Sequence, residues 1–257
     1  MTSGLWELVL KGIWITVQLT VFSSALALAV AFAFGILRTH RLWIVRFLAG
    51  CYIEVFRGTS ALVFMFWIFF VLPLMFSYQL VPMWAAVLAL GLTYGAYGAE
   101  VVRGALQAVA PAQREAGVAL SFTRGQQLRK ILIPQAWPEM IPPFNNLSIE
   151  LLKGTALVSI MGVGDTAFAA NLVRLALQES AEIYTYTLLI YFVLAFVISR
   201  GMRALERKAK AGIGRPMEKP AARKPGAGVL QMLKKVDGKA VDPQHAGTRA
   251  RSAGGDA

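Results

Sequence analysis

From Gly12 to Leu37 the chain runs for 26 residues without a charged side chain. A helix needs about 20 apolar residues to cross the hydrocarbon core of a bilayer, so this run predicts a membrane-spanning helix. It is too long for the core of a cleaved leader and is not followed by a small-residue cleavage pattern, which makes it a retained span. Further apolar runs lie at Thr59–Leu80, Val81–Ala99, Ile141–Gly164 and Ile183–Ser199, the last extending into Met202–Leu205. Pro82 falls at the turn between the second and third, and Pro73 is placed to kink or end the second early. In the third, Gly91, Gly95 and Ala99 recur every four residues on one face, either a stripe for close helix approach or the ordinary glycine content of membrane helices. The fold class that follows is an all-α integral membrane protein with five transmembrane helices.

Charge fixes the expected orientation. There are 26 Lys+Arg against 14 Asp+Glu, a formal charge of +12, in a chain that is 56% hydrophobic. Of the 26 basic residues, 23 fall between spans one and two, between spans three and four, or after span five. Basic residues favour the cytoplasmic side, so the N-terminus, residues 1–11, is expected outside and the C-terminus inside. Residues 212–257 shift to Gly, Pro, Ala and Lys without helical periodicity, which reads as a basic, mostly disordered cytoplasmic tail. Residues 201–257 carry +8 of the net charge, so the excess records orientation and implies no nucleic-acid partner. A positive tail also suits anionic membrane lipid, and a passive solubilising role fits it equally.

Cys51 is the sole cysteine, and His40 and His245 stand far apart, so neither a disulfide nor a metal site is expected. There is no G-x-x-x-x-G-K-[ST] phosphate loop. No nucleophile–base pair is in view either, which argues against a membrane-bound enzyme. A stand-alone secondary transporter would show paired internal repeats with broken helices at matching positions; this sequence pattern shows none.

The long connection from Glu100 to Ile141 is the inner segment with room for structure of its own. Glu115–Phe122 (EAGVALSF) predicts a short helix with Ala116, Ala119 and Leu120 on one face. Thr123 and Gln126 have capping-box spacing for a second helix, with Leu128, Ile131 and Leu132 as its apolar stripe and Pro134 as its end. Two short helices at an angle suit docking to another protein, or an amphipathic hairpin lying on the membrane.

The run EAGVALSFTRGQQLRKILIPQA, Glu115–Ala136, resembles the EAA loop of ABC importer permeases: Glu-Ala-Ala, three residues, Gly, nine residues, Ile-x-Leu-Pro. Glu115, Ala116, Ile131 and Pro134 match; Gly117 stands for Ala, Ser121 for Gly and Ile133 for Leu, with the spacing kept. GIWITVQLT, EVFRGTSALV, AEVVRGALQAV and LLKGTALVSIMGVGD are similar to polar amino-acid importer permeases, and the whole is similar in appearance to ectoine/hydroxyectoine permease subunits. The resemblance implies a second permease subunit, alike or different, ABC ATPase subunits that hold ATP and receive the loop, and an extracytoplasmic solute-binding protein. It also implies a bacterial cytoplasmic-membrane location, with no cofactor on this chain.

Glu150 and Lys153 lie within the fourth span, three residues apart on one helix face, where they can pair. Intramembrane charges face the bundle interior or water, so the pair is either a local structural bridge or part of a solute path with Thr155. In Lys153–Leu157 this chain reads Lys-Gly-Thr-Ala-Leu where many such permeases read Lys-Asp-Thr-Ser-Leu, a difference that bears on substrate choice. Glu54 with Arg57, and Glu100 with Arg103, share the same spacing and read as boundary anchors.

Overall fold

The computed structural model describes residues 3–76 and 80–211, which are helical with no strand among them. The expected tail, 212–257, lies outside the described residues. The uncharged run forms the core of α1 (Ser3–Leu37), so residues 3–11 are its first turns rather than a separate arm. After α2 (Trp43–Gly58) the chain turns by 101° into α3 (Ala61–Phe66) and α4 (Leu72–Phe76), which continue one another through a π-helical turn at Trp67–Val71. Next come α5 (Pro82–Ala108), α6 (Pro111–Ala119) and α7 (Arg124–Gln127), then a second π turn at Leu128–Leu132 leading into α8 (Ile133–Thr155). A 3-10 turn at Ala156–Met161, α9 (Thr166–Leu177) and α10 (Ser180–Ala211) complete the described chain. Three of these helices are singly long and apolar enough to cross a membrane, and five spans result if each of two bent pairs counts as one.

The expectation that Pro134 ends a helix is corrected, and of the two expectations for Pro73, a kink or an end, the end is excluded. Pro73 and Pro134 end no helix; the helical path runs through both. Each stands one residue beyond a π turn, where Leu72 N–H bonds the Trp67 carbonyl and Ile133 N–H bonds the Leu128 carbonyl, five residues back in both cases. A proline ring clashes with the carbonyl four residues back and offers no N–H. Widening the preceding turn moves that carbonyl aside, so the helix survives. Residues 165–182, between the fourth and fifth apolar runs, also contain a helix, α9. Its N-cap Asp165 accepts from Phe168 N–H at 2.9 Å. The 53° bend before it passes through Gly162, whose φ of 76° a side chain would strain.

The Gly91–Gly95–Ala99 stripe does bring a second helix close. A Cβ on Gly91 would stand 2.6 Å from Leu26 Cδ2, and one on Gly95 2.7 Å from Val30 Cγ1. Gly98 and Gly35 repeat the arrangement against Ala31 and Val102, so α1 and α5 touch along most of their shared length. Around this pair sit two buried clusters. One joins Leu19, Met65, Ile68, Leu90 and Val158; the other joins Ala31, Val102, Leu106, Met140 and Phe144. By contrast α10 is peripheral, with Ile183 as its buried residue.

Gly95→Leu is therefore expected to cost about 1–3 kcal/mol by overpacking, read as a lower melting temperature of the detergent-solubilised protein. Gly104→Ala, where a Cβ would meet nothing within 4 Å, is expected to be neutral or to gain up to about 1 kcal/mol in helix propensity.

Candidate functional site

The EAA-like segment is held by its backbone and one glycine. Pro111 opens α6 with its φ already suited to a helix. Arg114 donates to the Leu106 carbonyl at 2.7 Å, using an acceptor left over at the end of α5. Gln127 donates to the Arg114 carbonyl at 3.2 Å, and Gln135 donates to Gln113 Oε1 at 3.1 Å, tying α6 to the helices that follow. Gly117 is the buried residue of α6, because a Cβ there would lie 2.9 Å from Gln127 Cγ and 3.0 Å from Ile131 Cδ1. Arg114 and the two glutamines were not legible as fasteners in the sequence, since nothing local marks a side chain that reaches across 8–22 positions.

The first helix is Pro111–Ala119 rather than Glu115–Phe122, since Ser121 turns left-handed at φ 56° and breaks the run. The turn that glycine favours is thus kept here by serine, at a conformational cost. Thr123 and Gln126 do form the capping box: Gln126 N–H donates to Thr123 Oγ1 at 3.4 Å, and Thr123 N–H donates to Gln126 Oε1 at 2.9 Å. Leu128, Leu132 and Ile133 pack on the Val102–Met140 cluster, and Ile131 is half-buried while Pro134 is exposed. On the outer side of α6, Glu115 and Ala116 are exposed, with Val118 68% and Leu120 65% exposed. Glu115 makes no hydrogen bond or ion pair among the described residues. The segment presents one acid amid uncovered apolar groups on a fixed base.

Beside it, at the same end of α1 and α5, charges are gathered. Arg103 donates from Nε and Nη2 to Glu100 Oε2 at 2.8 and 2.6 Å. Arg38 lies across Gly50, against which a Cβ would collide, and stands 3.9 Å from Glu54 and 4.0 Å from Glu100. Arg57 does not pair with Glu54; its guanidinium lies 5.5 Å from the centroid of Tyr97, whose hydroxyl donates to the Arg57 carbonyl at 3.2 Å. The Glu100–Arg103 anchor is present, and the other spacing resolves into a bridge from α1.

The proposed solute-path residues separate. Glu150 and Lys153 are exposed on α8, in one strip with exposed Asn146, and form no ion pair with each other among the described residues. Tyr94 donates to the Glu150 carbonyl at 3.0 Å, passing over Gly154. Thr155 instead is fully buried, its hydroxyl donating to the Leu152 carbonyl at 2.7 Å. Through a side-chain bond with Tyr191 it joins a polar knot: Thr16 Oγ1 lies 2.8 Å from Thr166 Oγ1 and accepts from Thr166 N–H at 3.0 Å, and Tyr191 donates to Asp165 Oδ2 at 3.3 Å. Asp165 is 0% exposed. The knot fastens α1, α9 and α10 and was hidden in the sequence because its members are far apart in it. A recess of about 490 Å³ between α1, α9 and α10 is lined by Trp6, Val9, Ile13, Ile190 and Val193 with little polar surface, which suits no zwitterion.

The family described as binding-protein-dependent transport system inner membrane component matches residues 11–211. The chain belongs to that family. This inner membrane component is 47% identical over 201 residues to a probable amino-acid ABC transporter permease protein, y4tF, of Sinorhizobium fredii, covering 76% of this chain and 84% of the relative. It is 32% identical to the arginine transport system permease protein ArtQ of Bacillus subtilis, covering 79% and 93%. A crystal structure of an amino acid ABC transporter with histidines superposes with a TM-score of 0.72 at 30% identity, covering 79% of this chain and 94% of that one. The permease is a membrane-embedded transport component and not an enzyme.

Ser121→Gly is expected to raise stability by about 1 kcal/mol, since glycine adopts a left-handed φ without the side-chain clash. Thermal unfolding of the purified permease checks it, with Thr123→Val moving about 1 kcal/mol the other way through loss of the cap.

Proposed function

We propose that this permease is a subunit of an ATP-driven, binding-protein-dependent importer for a small zwitterionic solute. Amino-acid-like solutes are the substrate class, and ectoine or hydroxyectoine is the narrower assignment. The observation that carries the reading is the family match across residues 11–211 together with the uncovered apolar and acidic face of α6. The relatives named above are amino-acid and arginine permeases. Ectoine shares their pairing of a carboxylate with a cationic nitrogen, and that narrower step rests on sequence resemblance alone. A standard polar amino acid is the alternative solute.

In this reading residues 12–205 are the permease domain, the N-terminus is outside and the C-terminus is cytoplasmic. The segment Glu115, Ala116, Gly117, Ser121, Ile131 and Pro134 sits in a groove of a partner ATPase subunit, which binds and hydrolyses the ATP. Val118 and Leu120 supply the contact area and Glu115 a single charge-assisted bond, while Gly117 and Arg114 keep the segment rigid enough to pass a push into α5 and α8. A second permease subunit, like or homologous, faces the Asn146–Glu150–Lys153 strip. An unpaired acid and base on a membrane helix require water or a polar partner, because each costs about 2.5–3.5 kcal/mol at the bilayer centre. A water-filled path between two permeases meets that need, and the two charges offer complementary ends to a zwitterion. Thr155 helps by fixing the end of α8, not by touching solute. An extracytoplasmic binding protein delivers the solute.

Glu115→Lys is expected to insert normally yet to reduce solute-stimulated ATP hydrolysis at least tenfold in the reconstituted complex; an unchanged rate removes Glu115 from coupling. Lys153→Met is expected to abolish uptake while the ATPase subunit still co-purifies, and normal uptake kinetics would take Lys153 out of the path. Calorimetry of the cognate binding protein with ectoine against polar amino acids decides the solute, since tight binding of a standard amino acid alone sets the ectoine assignment aside.

A further inference from the structure

Helix α2 divides lengthwise into three strips by its 3.6-residue repeat. Val45, Ala49, Tyr52, Ile53 and Phe56 face the bundle; Ala49 and Ile53 are buried, and Tyr52 stacks on Phe34 at 4.0 Å and donates to the Leu92 carbonyl at 2.7 Å. Trp43, Ile44, Phe47, Leu48, Cys51 and Val55 form a second strip that is exposed throughout. Arg46, Glu54 and Arg57 form the third, with Arg38 laid across Gly50 between them. A helix crossing a bilayer needs two environments, protein and acyl chain. Three strips, with protein, hydrocarbon and charge side by side, are the pattern of a helix lying in the plane of the interface.

Geometry agrees. Helix α3 and the π turn after it pack against α5 through Met65 and Ile68, and α2 departs from the α3–α4 direction by 101°, so α2 runs across that segment. Its depth is marked by Arg38 at the end of α1 and by Glu100 and Arg103 on α5, the charged end of the bundle. Two arginines there are left over. Arg38 and Arg103 have carboxylates and Arg57 has Tyr97, whereas Arg41 and Arg46 have no ion-pair partner among the described residues. They flank Trp43, a residue type that favours the headgroup level.

We propose that α2 is an interfacial helix that binds anionic phospholipid, with Arg41 and Arg46 as phosphate ligands and the Ile44–Val55 strip in the acyl chains. The occupant is fixed by charge: two unpaired cations beside an uncovered apolar strip complement a negative headgroup on a hydrocarbon tail. The proposal rests on the membrane location and not on the transport reading, so either can fail without the other.

Native mass spectrometry of the full-length permease in detergent, titrated with phosphatidylglycerol or phosphatidylcholine, tests the headgroup. Each basic residue near an anionic surface strengthens association about fivefold, so Arg41→Gln/Arg46→Gln is expected to lose roughly 25-fold in phosphatidylglycerol binding with phosphatidylcholine binding unchanged. Equal binding of the two lipids by the unmodified protein, or an equal loss in a charge-matched Arg203→Gln/Arg207→Gln control, overturns the proposal. The apolar strip is read separately through Cys51, the single cysteine of the chain and exposed on that strip. A fluorophore there, in nanodiscs, is expected to be quenched by brominated acyl chains. An unquenched label with Cys51–Cys51 cross-linking between copies would show a protein interface instead and reject the lipid occupant.

Discussion

Inside a bilayer a helix gains nothing hydrophobic by leaving lipid for a neighbour, because lipid tails are as apolar as leucine. What holds α1 to α5 is contact distance. Each pair of atoms at van der Waals separation contributes only about 0.1–0.2 kcal/mol, so association needs many pairs, and many pairs need the backbones close. Gly91, Gly95, Gly98 and Gly35 make that possible by leaving room for Leu26, Val30, Ala31 and Val102. The buried clusters on either side presuppose this contact: Leu19 and Ala31 on α1 and Leu90 and Val102 on α5 are the shared walls. The charged bridge from Arg38 to Glu54 and Glu100 likewise depends on this contact, which sets the end of α1 beside Ala99 and Val102 of α5.

The second constraint is that no backbone group goes unpaired where water is scarce. Proline removes a donor, and this chain places Pro73, Pro134, Pro138, Pro142 and Pro143 within helices. At Pro73 and Pro134 the same remedy appears, a π turn separated from the proline by one residue. At Pro134 the position has a mechanical consequence. The widened turn joins the exposed α6–α7 segment to α8, the helix that carries Glu150 and Lys153, so the joint between the two candidate surfaces is the least regular part of an otherwise continuous helix.

The sequence was a good guide to what depends on neighbours within a few residues. The uncharged run of α1, the glycine stripe of α5 and the Thr123–Gln126 box are all local patterns, and each stands in the structure where its spacing put it. Helix α2 does not show as an apolar run because Arg46, Glu54 and Arg57 interrupt the hydropathy that reveals a span, although its strips have clear helical periodicity. Pro134 misled because the rule that proline stops a helix assumes an α-helical turn before it. Thr155 is close to Lys153 along the chain, yet two residues carry a helix through about 200°, slightly more than half a turn, so its side chain faces away and is buried. The Arg114 and Gln127 fasteners and the Thr16–Asp165–Tyr191 contacts join residues remote in sequence, which no local pattern announces.

Two groups of polar residues show opposite ways of meeting the cost of leaving water. Asp165 is closed off completely, with Phe168 N–H and the Tyr191 hydroxyl donating to its carboxyl oxygens and Thr16 and Thr166 paired alongside. Such a group is satisfied within the chain, and satisfaction makes it a fastener. Glu150 and Lys153 are left open on α8, although a three-residue spacing would let them neutralise one another. If they had served stability alone, closing that bridge would have been the cheaper arrangement, since an isolated charge facing lipid is disfavoured. Their separation therefore implies surroundings that solvate each charge individually. Glu150 and Lys153 thus leave to water or another polar surface the cost that Asp165 meets within its own chain.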